Sequence, residues 1–540
     1  MTSAVIRFDH QPPVKNPLKW NGPPESLAFD ERGINDCLRK TDQPCYLVEE
    51  DGHIGSSNEG QLEGANAESN LVAFSSPVFP EHLGDSSFEA DHRCRYAYYA
   101  GSMAHGISSA DLVIALGQEG FMGSFGAGGV LPDELESAIQ RIQQALPEGP
   151  YAFNLIHNPY IEALERSAVD LYLKHQVRTV EASAYMELTP YVVHYRVAGL
   201  KALPDGSIQA NNRIIAKLSR QEVATKFMKP APEKFLARLL EQRLITQEQA
   251  NMAASVPMAD DITVEADSGG HTDNRPLVAL LPSIIALRNG IQQRHVYDKA
   301  IRVGAAGGIG TPEAALAAFM MGAAYVVTGS INQGSVEAGT SDSVRTLLSQ
   351  AEMADVIMAP AFDMFEMGGR LQVLKRGTLF AMRAQKLADL YRSYSCIEDI
   401  PQAERNKLEQ QIFQVPLERI WQETRDYFNQ RDPEQIERAN ANPKKKMALI
   451  FRWYLGLASH WANAGKQGRE MDYQVWCGPS MGAFNDWVRG SILENPNNRK
   501  VSLIAKNIMH GAAYLYRLQQ LKLSGVSFPS VFETYIPQDL

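Results

Sequence analysis

Two glycine-rich stretches, Gly304-Ala305-Ala306-Gly307-Gly308 and Gly329-Ser330, lie one helix and one apolar strand apart. Small residues let backbone N–H groups close on an anion with no Cβ in the way, so the pair reads as a phosphate cup lined by Ala306, Gly307, Gly308, Gly329 and Ser330. One such turn alone is equally well a tight loop needing positive φ; the doubling favours the cup. Glu265-Ala266-Asp267-Ser268-Gly269-Gly270-His271 adds an imidazole behind two glycines. That side chain suits proton transfer near neutral pH, and without bulky neighbours it can be presented beside a flat cofactor. A lone histidine is commonly structural; its place after Gly269 and Gly270 favours function. Three further features suit parts of a flavin. Gly101-Ser102-Met103-Ala104 could run beneath an isoalloxazine ring, the Asn154 amide could bond its polar edge, and Lys217 near N1 or O2 would stabilise the reduced anion. Each has a structural reading too: Asn154 could bond a loop, and Lys217 could pair with Glu181 or Asp267.

The elements that must position these residues are strands alternating with amphipathic helices. Short apolar runs at 97–103, 121–125, 151–156, 179–184, 213–219, 262–266, 301–303 and 325–328 read as eight strands, each leading into a helix. Eight such units predict an α/β fold, a (β/α)8 TIM barrel with the cup after strands seven and eight and His271 on the catalytic rim after strand six. Helix starts are legible at Ser108, Pro132, Thr189-Pro190 and Thr311-Pro312, with Gly322 stopping the last. Residues 221–254, after strand five, read as a helical insertion, either a lid over the strand ends or a solvent-facing decoration. The expected organisation is an N-terminal lead-in module at 1–95, the barrel at 96–360 and a helical C-terminal region at 361–540. Trp421, Trp453, Trp461, Trp476 and Trp487 all fall in that last region and read as aromatic core anchors rather than a ligand box.

The 540 residues, 44% apolar, can bury a large core, and the net charge of −10 argues against general binding to nucleic acid or an anionic membrane. Five cysteines, Cys37, Cys45, Cys94, Cys396 and Cys477, lack metal-type spacing and point to a reducing, cytoplasmic setting with no zinc site. The apolar runs are too short to span a bilayer, and no processed leader is read at the N-terminus.

Met103-Ala104, Asn154, Gly269-Gly270-His271, Gly307-Gly308 and Gly329-Ser330 together resemble the flavin-dependent barrel family of nitronate monooxygenases and FMN enoyl reductases. A narrower resemblance, nearly chain-long, is to the PfaD family, the enoyl-reductase subunit of polyunsaturated fatty acid and polyketide synthases. It rests on Tyr151-Ala-Phe-Asn-Leu-Ile-His157, Glu265-Ala-Asp-Ser-Gly-Gly-His-Thr-Asp273, Asp363-Met-Phe-Glu-Met367, Phe451-Arg-Trp-Tyr-Leu-Gly456 and Trp476-Cys-Gly-Pro-Ser-Met-Gly-Ala-Phe-Asn485. The resemblance implies FMN over the strand ends, its phosphate at Gly307, Gly308, Gly329 and Ser330, and reduction of an α,β-unsaturated thioester by NADPH or NADH, with His271 as proton donor or enolate stabiliser. It also implies acyl carrier protein domains as partners. Lys444-Lys445-Lys446 is the densest basic candidate for docking them, against the plainer reading of a solvated helix start. A homodimer through the helical region fits the sequence. Rival readings are a nitronate oxidase with the same flavin and histidine, a nucleotide dehydrogenase barrel and a flavin-less synthase scaffold. The dehydrogenase needs a nucleophilic loop cysteine, and none occurs between Cys94 and Cys396.

Overall fold

The structure, a computed structural model, describes residues 6–8, 18–63, 70–157 and 162–540; parts of the expected lead-in module, 1–5, 9–17 and 64–69, lie outside the described residues. Eight strands pair in parallel in chain order and close on themselves: Tyr98–Ala100 (β1), Met122–Phe125 (β2), Ala152–Ile156 (β3), Thr179–Ser183 (β4), Arg213–Leu218 (β5), Asp261–Glu265 (β6), Arg302–Ala306 (β7) and Val326–Thr328 (β8). Closure is made by Val326, Val327 and Thr328 of β8 opposite Tyr98, Tyr99 and Ala100 of β1. All eight expected strands are present because each is a short apolar run buried on both faces, as a parallel barrel requires. Strand β7 runs further than the expected 301–303. Gly304, Ala305 and Ala306 are strand rather than turn, and Gly304 is small for a different reason: a Cβ there would sit 2.3 Å from the ring of Tyr325. The turn begins at Gly307.

The barrel interior is filled, with Tyr99, Met122, Ala152, Ile215, Tyr325 and Val327 in one buried cluster. Helix Ser86–His92 plugs its N-terminal end, stacking Phe88 on Tyr325 at 4.2 Å. Beneath that plug, Asp261 accepts from Arg302 at 2.6 and 3.0 Å and lies 2.8 Å from His92 Nε2. Burial alone would raise the Asp261 pKa, but the Arg302 and His92 charges outweigh it and hold the carboxyl well below the usual range. Helix starts follow their caps: Thr189 accepts from Val192 N and Thr311 from Ala314 N, while the cap expected at Ser108 is Ser109, bonded to Leu112 N.

The insertion after β5 consists of helices Gln221–Met228, Glu233–Glu241 and Gln247–Ala253. It is not a lid. Its last two helices pack on Pro190–Ala198 and on the strand Leu200–Ala202, with Gln249 Nε2 donating to Ala198 O at 2.9 Å. Pro190–Ala198 runs back from the strand C-termini, so its end, and the insertion with it, lies toward the opposite end of the barrel from His271. The rim is covered instead by residues C-terminal to the barrel. A hairpin, Val356–Pro360 (β9) and Arg370–Leu374 (β10), places a strand in the region expected to be helical and carries a second core with helices Phe380–Ser393 and Pro443–Ala464. Trp421, Trp453 and Trp461 pack at the edge of that core. Helix Val501–Leu523 packs instead on barrel helix Pro312–Met320 and on the N-terminal strands, where Leu518 and Leu521 join Ile34, Leu38 and Leu47.

The three lysines do not form an open basic patch. Lys444 Nζ donates to the carbonyls of Tyr391 and Tyr394, Lys445 pairs with Glu366 at 2.6 Å and Lys446 with Glu398 at 3.2 Å. Each ammonium is engaged in holding Pro443–Ala464 against its neighbours. Among the described residues no helix is long and apolar enough to cross a membrane.

Candidate active site

Parallel strands deliver their C-termini to one end of the barrel, so the loops after β6, β7 and β8 are neighbours there. The loop after β7 turns through Gly307 and Gly308, with φ of 84° and 78°. Gly307 is pressed against the β6 loop: a Cβ on it would lie 2.6 Å from the Ala266 carbonyl carbon. Around Gly308 and Gly329, by contrast, an added Cβ would meet nothing within 4 Å. Among the described residues, the backbone N–H groups of Gly307, Gly308, Gly329 and Ser330 donate to no protein acceptor. Unspent amides facing open space suit an anion, and the cradle fits the phosphate of a mononucleotide. Ala306 closes β7 just below, its carbonyl accepting from Ala266 N at 2.9 Å.

The β6 loop is held from two sides. Gly270 exchanges backbone hydrogen bonds with Gln372 of β10 at 2.9 and 2.7 Å, and the Gln372 amide donates to Asp267 Oδ1 and Ser268 O at 2.8 Å each. Gly269 lies so close to Cys477 that a Cβ would meet its backbone N at 2.9 Å. Pinned there, His271 turns its Nε2 to Asp363 Oδ1, 3.1 Å away on the β9–β10 connection. Burial of the ring pulls its pKa down, but the Asp363 hydrogen bond and charge, with Glu265 behind them, outweigh that and raise it above the ordinary histidine value. The side chain remains 42% exposed, so it is open to a substrate.

Met103 and Ala104 lie in a tight turn after β1, where Met103 N donates to Ser108 Oγ at 2.9 Å and Ser108 Oγ donates to Gly101 O at 3.1 Å. The structural alternatives for the other two residues are partly realised. Asn154 spends both amide hydrogens on β4, on Glu181 O at 3.0 Å and Ser183 Oγ at 2.9 Å, leaving only its Oδ1 to serve a ligand. Lys217 sits between two carboxylates, Glu181 at 3.4 Å and Glu265 at 3.2 Å, not Asp267. Burial lowers its pKa, but those two charges more than offset it, and the ammonium is held cationic.

Four site features were not readable from residue type and spacing. Asp363 is 92 residues from His271, and nothing in their separation announces the pair. Gln372 acts through a strand inside a stretch that looked helical. Glu181 and Glu265 compensate Lys217 from inside the barrel. His105, in a left-handed backbone conformation with φ of 59°, packs its ring against His460 and Trp476, centroids 4.6 and 5.4 Å apart. Burial, with His460 beside it, pushes its pKa down to about 4, so it is neutral where His271 holds its proton.

The sequence pattern of the nitronate monooxygenase family matches residues 92–388, more than half of the chain, and that of the fatty acid synthase subunit PfaD N-terminal domain matches 20–77. The chain belongs to the PfaD family. Beyond the barrel, residues 394–473 match the inserted helical domain of [acyl-carrier-protein] S-malonyltransferase. PfaD-type relatives include a polyunsaturated fatty acid synthase subunit of a Thraustochytrium species, 48% identical over 93% of this chain and 34% of that protein. Polyketide biosynthesis protein PksE of Bacillus subtilis is 48% identical over 81% of this chain and 57% of its own length. The chain thus spans between a quarter and just over half of the curated relatives it matches. Among solved structures, the enoyl reductase domain of MlnA from the macrolactin cluster of Bacillus amyloliquefaciens is 40% identical, with a TM-score of 0.78 over 82% of this chain and 99% of that domain. A PfaD chain is therefore a nitronate monooxygenase-type barrel with a helical C-terminal region, of the kind found in polyunsaturated fatty acid and polyketide synthases.

Proposed function

We propose that this chain is an FMN-dependent enoyl reductase that reduces the α,β double bond of enoyl thioesters carried on acyl carrier protein domains, with NADPH or NADH as reductant. The observation that carries the reading is the meeting, on one end of the barrel, of an open cradle of unspent amides with an exposed histidine braced by a carboxylate. The 40% identity to an enoyl reductase domain and the synthase origin of the curated relatives support the substrate class.

Bound FMN would supply hydride, taken from the nicotinamide, to the β-carbon of the enoyl thioester. Gly307, Gly308, Gly329 and Ser330 would hold its phosphate, Met103 and Ala104 would line the ring, and Asn154 Oδ1 would accept from it. Gly269 and Gly270 keep the β6 loop free of side chains where it borders the cofactor. Lys217 keeps a positive charge beneath the ring while Glu181 and Glu265 fix its position. His271 has Nε2 committed to Asp363, so Nδ1 is the atom left to face the substrate. A proton held there would hydrogen bond the thioester carbonyl as enolate charge develops and then be available for the α-carbon. One well-aimed donor of that kind contributes roughly 3 kcal/mol to the transition state.

The match of residues 92–388 to nitronate monooxygenase favours one second reading, oxidation of a nitronate by O₂ at the same site. Anaerobic mixing of the flavin-loaded protein with NADPH or NADH separates the two. Rapid bleaching of the flavin followed by its reoxidation with crotonyl thioester is the expected outcome; bleaching by a nitronate and by neither nicotinamide would replace the reductase with the oxidase.

A further inference from the structure

Residues 476–480 cross the C-terminal end of the barrel and touch four of its eight loops. Trp476 pairs with Val373 of β10 and stacks on His105 of the β1 loop at 23° between ring planes. The Cys477 backbone lies against Gly269 of the β6 loop, where a Cβ would come within 3.0 Å of the Cys477 Cα. Gly478 N donates to Ser330 Oγ at 2.9 Å, after β8, and a Cβ on Gly478 would meet Gly269 N at 2.8 Å. Ser480 O occupies the place a Cβ on Gly310 would need, 2.5 Å away, in the β7 loop. Glycine on both sides of these contacts is what allows backbone to approach backbone so closely.

Two consequences bear on the anion cradle. With its oxygen accepting from Gly478, the Ser330 hydroxyl still has its proton to donate to an acceptor on its other side. Loops β6, β7 and β8 also cannot move apart without breaking contact with the same five residues, so the donors are fixed before a ligand arrives and none of its binding energy is spent on ordering them.

We propose that residues 476–480 are a strap that presets the phosphate cradle, so that affinity for the cofactor's phosphate is determined by the C-terminal region and not by the barrel alone. The proposal rests on the flavin reading above. It implies a specific signature, because a strap acting through the cradle matters to FMN and not to riboflavin, which lacks the phosphate.

Fluorescence quenching on titration of the apoprotein with each flavin tests it. Gly478→Ala, which presses on Gly269, is expected to weaken FMN binding about tenfold, the order of one lost charge-assisted hydrogen bond, while riboflavin binding changes less than about twofold. Trp476→Ala removes the stack on His105 without pressing on backbone and is expected to weaken FMN about fivefold with the same indifference to riboflavin. It decides the matter should Gly478→Ala fail to fold. Gly290→Ala, whose Cβ would meet only Arg294 Nη1 at 3.9 Å, serves as the unaffected control. Equal loss of both flavins, or unchanged FMN binding in a folded variant, would overturn the strap while leaving the flavin reading intact. Failure of the unaltered protein to bind FMN would overturn both.

Discussion

A histidine hydrogen bonded to a carboxylate keeps its proton to higher pH than a free one, and at His271 that proton is the one the proposed reaction needs. Because the folded-state pKa is raised, the His271–Asp363 pair contributes stability below the ordinary histidine value of 6.5, and that contribution is lost as pH rises through the raised value. Activity that requires the imidazolium follows the same direction. Asp363→Asn is expected to move the alkaline limb of the kcat/KM profile to lower pH, and His271→Ala to lower turnover of a crotonyl thioester roughly 100-fold. A profile unchanged in Asp363→Asn would detach the carboxylate from the chemistry. At this scale the sequence was legible where a residue's role depends on its immediate neighbours: Gly269 and Gly270 before His271, or Gly307 and Gly308 in their turn. It was not legible where the partner is brought in by the fold, as Asp363 is to His271 and Glu265 to Lys217.

Among elements, the turn after β7 separates two uses of glycine. Both Gly307 and Gly308 have positive φ, but only Gly307 is crowded, by the Ala266 carbonyl. Gly308→Ala is expected to cost about 1 kcal/mol, the strain of a left-handed alanine, and Gly307→Ala about 3 kcal/mol because the collision adds to it. Chemical denaturation midpoints of the two variants, compared with the parent, give the order; a Gly307→Ala variant no less stable than Gly308→Ala would contradict the crowding. Strand and helix alternation was legible because buried parallel strands and their caps leave local marks, Thr311-Pro312 being one. The path of the insertion was not, since apolar spacing in 221–254 says which helix face is buried and not against what. The same holds for β10, whose strand conformation is imposed by pairing with β9.

On the scale of the whole molecule, the N-terminal strands and the long C-terminal helix share one core, and a single cation ties them. Arg517, fully buried, donates to the carbonyls of Cys37, Leu38, Lys40, Thr41 and Gln43, closing the C-terminal end of helix Glu31–Arg39. Burial lowers its pKa, but carbonyl dipoles replace the water it has lost. Arg517→Met leaves those carbonyls unmatched and is expected to cost on the order of 3 kcal/mol. Hydrogen exchange reads the location: protection should fall in helix Glu31–Arg39 and persist in the barrel strands, and uniform loss across the barrel would refute a local tie. The barrel was legible as a whole from its eight repeats, whereas this junction joins residues 480 apart in the chain and leaves no pattern in either segment.

The contact between Gly478 and Ser330 joins residues 148 apart. During synthesis every barrel strand has left the ribosome, with time to close, long before Gly478 is made, and contacts this distant form late. Until then the mouth of the barrel is half built. A nascent chain stalled or cut in the second core would carry a complete barrel with an unfinished entrance.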